Sequence, residues 1–138
     1  MSGMKAGMYY PSWPDMNGEL IPGILLDRTN WDLLSFVEYD NFALAPALVQ
    51  FVHRLTAYVL FGLVILFGVK IQKMNVSGWY KQGSIVLVLS LFVQLVLGIY
   101  TVINCFGKIP LFLGVMHQAG AIILLTVLLY MMRSTIRE

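Results

Sequence analysis

Residues 85–106 and 109–132 of this 138-residue chain contain no charged side chain, and residues 46–69 contain one, Arg54. Each run meets the length of about 20 apolar residues that a helix needs to cross a bilayer. Only 12% of the chain is charged, against the ~25% of an ordinary soluble domain. In lipid each backbone N–H and C=O must be paired, and a helix does so within its own segment. The residues therefore predict an all-α integral membrane protein with three transmembrane helices. No secretory signal pattern precedes them, so the first span is expected to act as its own insertion signal.

Residues 1–45 differ in kind. They hold six of the seven acidic residues against Lys5 and Arg28, together with Pro11, Pro14, Pro22 and the turn-like "DMNGE". This composition predicts a long extramembrane loop ahead of a bundle at 46–132 and a tail at 133–138. Within the loop, "TNWDLLSFVEYDNF" suits a short amphipathic helix with Thr29 as N-cap and Asp32 three residues later, as in a capping box. Trp13, Trp31, Tyr9, Tyr10 and Tyr39 suit a segment lying along a membrane surface. The opening "MSGMKAGMYY" resembles the end of a helix begun elsewhere.

Lys70, Lys73 and Lys81 flank the first connection, and Arg133 and Arg137 oppose Glu138 in the tail. The positive-inside rule puts that side in the cytoplasm or its mitochondrial equivalent, with the N-terminal loop facing outward. The net charge of +2 and the lack of a basic tract give no support for a nucleic-acid partner. The single cysteine, Cys105, forms no disulfide within the chain. It is expected to pack as a small apolar group or to bond another chain.

The two histidines, His53 and His117, both lie inside spans, the first and third, which run in the same direction. His53 follows Pro46, and His117 follows Pro110, by seven residues. At ~1.5 Å per residue both lie about 10 Å along their helices. A buried histidine alone is most simply a side chain hydrogen-bonded to a neighbouring helix. Two at one depth suit a planar iron porphyrin, which takes an imidazole on each face. Zinc wants three or four protein ligands, and no thiolate or carboxylate accompanies these two. A His/Met copper site through Met116 is poorly served, because adjacent residues on a helix point in different directions. Covalent haem attachment would need C-x-x-C-H, which is missing.

Gly114, Gly120 and Ala121 share a face with His117, and Ala57 sits equivalently beside His53. Small residues there permit close helix packing and equally leave room for a macrocycle. Arg54, costly at mid-membrane by ~2.5–3.5 kcal/mol, suits a haem propionate through charge-assisted bonds, or snorkels to the interface. Gln50, Gln94 and Gln118 are read as interhelical hydrogen-bonding groups, with Gln50 also placed to line a cofactor pocket. The spans offer no Asp or Glu for acid–base chemistry.

"NFALAPALVQFVHRLTAY" and "LGIYTVINCFGKIPLFLGVMHQAGAIILLTVLLYMM" together resemble the C-terminal half of haem A synthase, a membrane protein of cytochrome oxidase assembly. "AGMYYPSWPDMNGELIP" is similar to the outward loop that opens that half. The resemblance implies a family of two similar four-helix halves, each with a histidine pair, that oxidises the methyl group of haem O. It implies that His53 and His117 hold a b-type haem and that the substrate half, with its glutamate, lies outside this sequence. Gln50 stands near where that half carries the glutamate.

Three functions follow as expectations. The leading one is the haem-binding half of a haem A synthase-like oxidoreductase, supplied by an unidentified electron donor. A second polypeptide or a homo-oligomer would complete the bundle. The second is a non-catalytic cytochrome b-like subunit for electron transfer or haem delivery, and the third a cofactor-free helix bundle. The membrane lipid around it is expected to be the bacterial plasma membrane, with the mitochondrial inner membrane as the alternative.

Overall fold

The computed structural model describes residues 5–135. The opening residues 1–4 lie outside that range, as do Arg137 and Glu138, whose charges entered the orientation reading. Three long helices dominate: α4 (Leu44–Lys73), α5 (Gly78–Ile103) and α6 (Leu111–Thr135). Each is long and apolar enough to cross a membrane. Phe112 is 75% exposed and Leu66 68%; side chains of this kind stand outward when the surrounding medium is hydrocarbon. The protein is thus a helical, multi-pass integral membrane protein.

The helix ends follow local chemistry. Pro46 does not open α4 but sits in its first turn, where a missing N–H costs nothing. Lys70 and Lys73 lie in the last turn of α4, where cations are favoured by the helix dipole. α5 begins at Gly78, well before the first residue of its charge-free run. At its other end two side chains take up last-turn carbonyls that a helix cannot satisfy itself. Asn104 Nδ2 donates to the Tyr100 carbonyl at 2.8 Å, and Cys105 Sγ to that of Thr101 at 3.0 Å.

Before α4 lie three short helices, α1 (Ala6–Tyr9), α2 (Gly23–Leu26) and α3 (Leu33–Val37), and a 3-10 turn at Arg28–Asn30. Here the sequence expectation needs correcting. Asp32, not Thr29, caps the helix: its carboxylate accepts from Ser35 N at 2.7 Å. Thr29 instead donates its hydroxyl to Asp27 Oδ1 at 2.7 Å. The reason is that Asp27 and Asp32 each offer an acceptor one step ahead of a turn, so the segment breaks in two. "DMNGE" does form a turn. Met16 and Glu19 pair across it, and Asn17 and Gly18 take φ values of 59° and 92°. Two successive positive φ angles are the demand that Asn-Gly meets.

The described chain divides into two compact units, residues 5–56 with 99–111, and residues 57–98 with 112–135. In the first, Ala6, Met16, Leu44, Ala45, Ala47 and Cys105 are buried. Cys105 packs against α1, where a Cβ on Gly7 would stand 3.1 Å from its sulfur. In the second, Gly68 lets α4 approach α5, since a Cβ there would meet Val88 at 3.0 Å. Gln72 Nε2 joins these helices by donating to the Lys81 carbonyl at 2.8 Å and to Ser84 Oγ at 3.0 Å. Trp79 and Tyr130 meet edge-on, with ring centroids 5.3 Å apart.

Candidate functional site

His53 and Arg54 are neighbours in sequence but not in orientation. Successive side chains on a helix diverge by about 100°. Gln50 and Arg54, four apart, share a stripe; Gln50 is 0% exposed and Arg54 8%. His53 stands on an exposed face.

Arg54 is wrapped by the loop. Its Nη1 donates to the carbonyls of Asp15 at 2.6 Å and Pro14 at 3.4 Å; its Nη2 donates to those of Ser12 at 2.8 Å and Tyr10 at 3.0 Å. Gln50 Nε2 adds a second donor to the Tyr10 carbonyl at 2.8 Å. Composition explains the collar. Pro11 and Pro14 remove two N–H groups, so the segment forms no regular ladder and its carbonyls stay available as acceptors. A guanidinium supplies five N–H donors. Gln50 therefore bonds the loop rather than a second helix. Around the collar, Ser12 Oγ accepts from Asn17 N at 2.6 Å. Burial pushes the Tyr10 phenol above its ordinary pKa, and the Glu19 charge adds to this.

His117 is the seventh residue of α6, and His53 the tenth of α4. The two histidines belong to different units. His117 is held by α5. Gln94 Nε2 donates to the His117 backbone carbonyl at 2.8 Å and lies 3.1 Å from ring Nδ1. Two glycines make this contact fit. A Cβ on Gly98 would stand 2.9 Å from His117 Cε1, and one on Gly120 would overlap Gln94 Oε1. Gly114, one turn before His117, faces open space. Gln118 is exposed.

Gln94 was visible in the sequence as a polar group in a span, but its partner was not. Gly98 was missed altogether. The signal was its spacing: four residues after Gln94, it lies on the same face of α5. Gly120, by contrast, stood out as a small residue that suits either close helix packing or a macrocycle, and the space it provides is taken by Gln94 of the neighbouring helix.

The chemistry of the donor set can be tested against a haem. Among the described residues no three His, Cys, Asp or Glu side chains gather as a metal site. A metal served by imidazole alone must bring its own remaining ligands, as iron in a porphyrin does. The niche that Gly98 opens for the His117 ring and the space beside Gly114 fit that demand.

Comparison with known proteins points the same way. The family model described as cytochrome oxidase assembly protein (COX15-CtaA) matches residues 1–129. A protein of Rhizobium rhizogenes named heme A synthase is 35% identical over 124 residues, 89% of this chain and 31% of that protein. Its namesake in Brucella ovis is 35% identical over 91% of this chain and 32% of its own length. That of Bartonella bacilliformis is 33% identical over the same shares. The chain thus spans about a third of the length of these relatives (31–32%), matching their C-terminal half. No solved structure matches it. With its family model covering nearly the whole sequence, the chain belongs to the COX15-CtaA cytochrome oxidase assembly protein family.

Proposed function

We propose that His53 and His117 are the axial ligands of a b-type haem, and that the chain serves haem A biosynthesis as the haem-binding part of a membrane oxidoreductase. The observation that carries this is the His117 niche, where Gly98 leaves room for an imidazole between two helices long and apolar enough to cross a membrane. The family match and the name heme A synthase on its relatives support the pathway. Bound haem supplies one-electron chemistry at iron. The chain's own residues bind and orient it. His53, exposed on a spanning helix, is a side chain that lipid would disfavour and a ligand role would explain. Arg54 would meet a propionate by exchanging some of its carbonyl bonds for stronger carboxylate ones.

The oxidation of the haem O methyl group then needs groups from elsewhere. The segments Leu44–Lys73, Gly78–Ile103 and Leu111–Met132 contain no Asp or Glu, so they offer no carboxylate for proton transfer. This favours a second reading alongside the first, a cytochrome b-like subunit that passes electrons or delivers haem. In either case an electron donor and a second polypeptide, or a second copy of this chain, complete the assembly. We place it in the bacterial plasma membrane with the N-terminal loop outward.

The test is an absorption spectrum of the purified full chain, reconstituted with haem. A low-spin, six-coordinate spectrum is expected, lost in His53→Ala and in His117→Ala. An unchanged spectrum in both variants, or a colourless wild type from haem-replete cells, would end the proposal.

A further inference from the structure

We infer that Gln94 is the positioning residue for His117, and that its amide turns over as the ring takes up iron. This rests on the reading of His117 as a ligand. The starting orientation is fixed by a group that can only accept. The His117 backbone carbonyl takes a hydrogen from Gln94 Nε2 at 2.8 Å, so the NH₂ side of the amide faces α6. The second hydrogen of that NH₂ is directed to ring Nδ1, 3.1 Å away. A neutral imidazole has one donor and one acceptor nitrogen. With Nδ1 accepting, the ring proton sits on Nε2, the nitrogen that would bind iron.

Iron at Nε2 requires the other tautomer. The ring gives up its Nε2 proton and gains one at Nδ1, staying neutral. A ligating histidine almost always donates that second N–H to an acceptor, which fixes the ring and raises its basicity. The acceptor is already in place. Gln94 Oε1 is buried and, among the described residues, has no hydrogen-bond partner; it rests in the gap that Gly120 leaves. Half a turn of the amide exchanges Oε1 for Nε2 and brings it to Nδ1–H. In the turned amide, Oε1 also approaches the His117 carbonyl. That oxygen–oxygen contact keeps the amide in its donor orientation until the ring changes tautomer. The His117 carbonyl, being inside α6, retains its intrahelical bond throughout.

Two measurements on the full chain in nanodiscs test this. In the haem-free chain, ¹⁵N NMR of labelled histidine should show His117 protonated at Nε2, with the signal assigned by its loss in His117→Gln. In the haem-loaded chain, Gln94→Leu removes the acceptor and should raise the midpoint potential and weaken haem binding by about 10–100-fold. Gln94→Glu strengthens the acceptor and should lower the potential. Gly120→Ala, which fills the gap that holds the far end of the amide in either orientation, should displace Gln94 and shift the potential in the direction of Gln94→Leu. Opposite shifts in the Leu and Glu variants are what a packing role alone would not produce. A wild type with a bis-histidine spectrum, but with shifts of the same sign or none in these variants, would overturn the inference and leave the haem reading standing. A haem-free His117 protonated at Nδ1 would also overturn it. A wild type with no such spectrum would remove both.

Discussion

Arg54 and His117 are both polar side chains on spanning helices, and their surroundings satisfy them in opposite ways. Arg54 is bonded to four backbone carbonyls from a loop about 40 residues earlier in the chain. His117 is gripped by one side-chain amide, seated between two glycines. A collar of carbonyls can only accept, so it suits a permanent cation, which stays a donor whichever acceptors it meets. An amide carries both a donor and an acceptor on one rotatable bond, so it can follow a change in its partner. The first arrangement builds structure; the second is suited to a group whose bonding changes.

The sharpest way to break this contrast is Arg54→Ala. It removes four charge-assisted bonds and strands their carbonyls, and should destabilise the loop by about 3 kcal/mol or more. Protease cleavage within residues 10–17 and thermal unfolding in detergent would show it. A loop that stays protected would mean that the collar stands without its cation. Gly98→Ala probes the other side. Its Cβ would press on the imidazole at 2.9 Å, an overpacking worth about 1–3 kcal/mol, and should displace the His117 ring and weaken haem binding. Haem binding equal to wild type would show that the niche does not place the ring.

The smallest effect concerns pH. The Ser12 hydroxyl, the Gly18 N–H and the Arg54 charge hold the Asp15 carboxyl below its ordinary pKa. A depressed folded value means that the stabilisation is complete above the unfolded value, about 3.9. It is lost as pH falls through the lower, folded one. Protection of the loop from an acid-active protease should therefore fade below about pH 4. Asp15→Asn should abolish that dependence.

The three spans were legible because the lack of charge over so many residues leaves no soluble alternative. Their ends were less so. Pro46 looks like a boundary, yet the first turn of α4 accommodates it. Counting from the prolines puts the two histidines at equal depth, whereas counting from the helix starts separates them by three residues. The polar groups of the site were visible one by one, since Gln, His and Arg stand out in apolar helices. Their partners were not. Nothing in the sequence links Arg54 to Tyr10 or Ser12, because carbonyl oxygens belong to every residue alike. Gln94 and His117 meet through helix packing, and only the i, i+4 spacing of Gln94 and Gly98 hints at it.

Cys105 has a practical consequence of its own. Its sulfur is covered by Gly7 on α1 and donates to Thr101, and burial raises its pKa. An alkylating reagent reacts with the thiolate, so modification must wait until the segment above it lifts. With a single thiol in the whole sequence, the rate of labelling becomes a clock for how often that segment comes away.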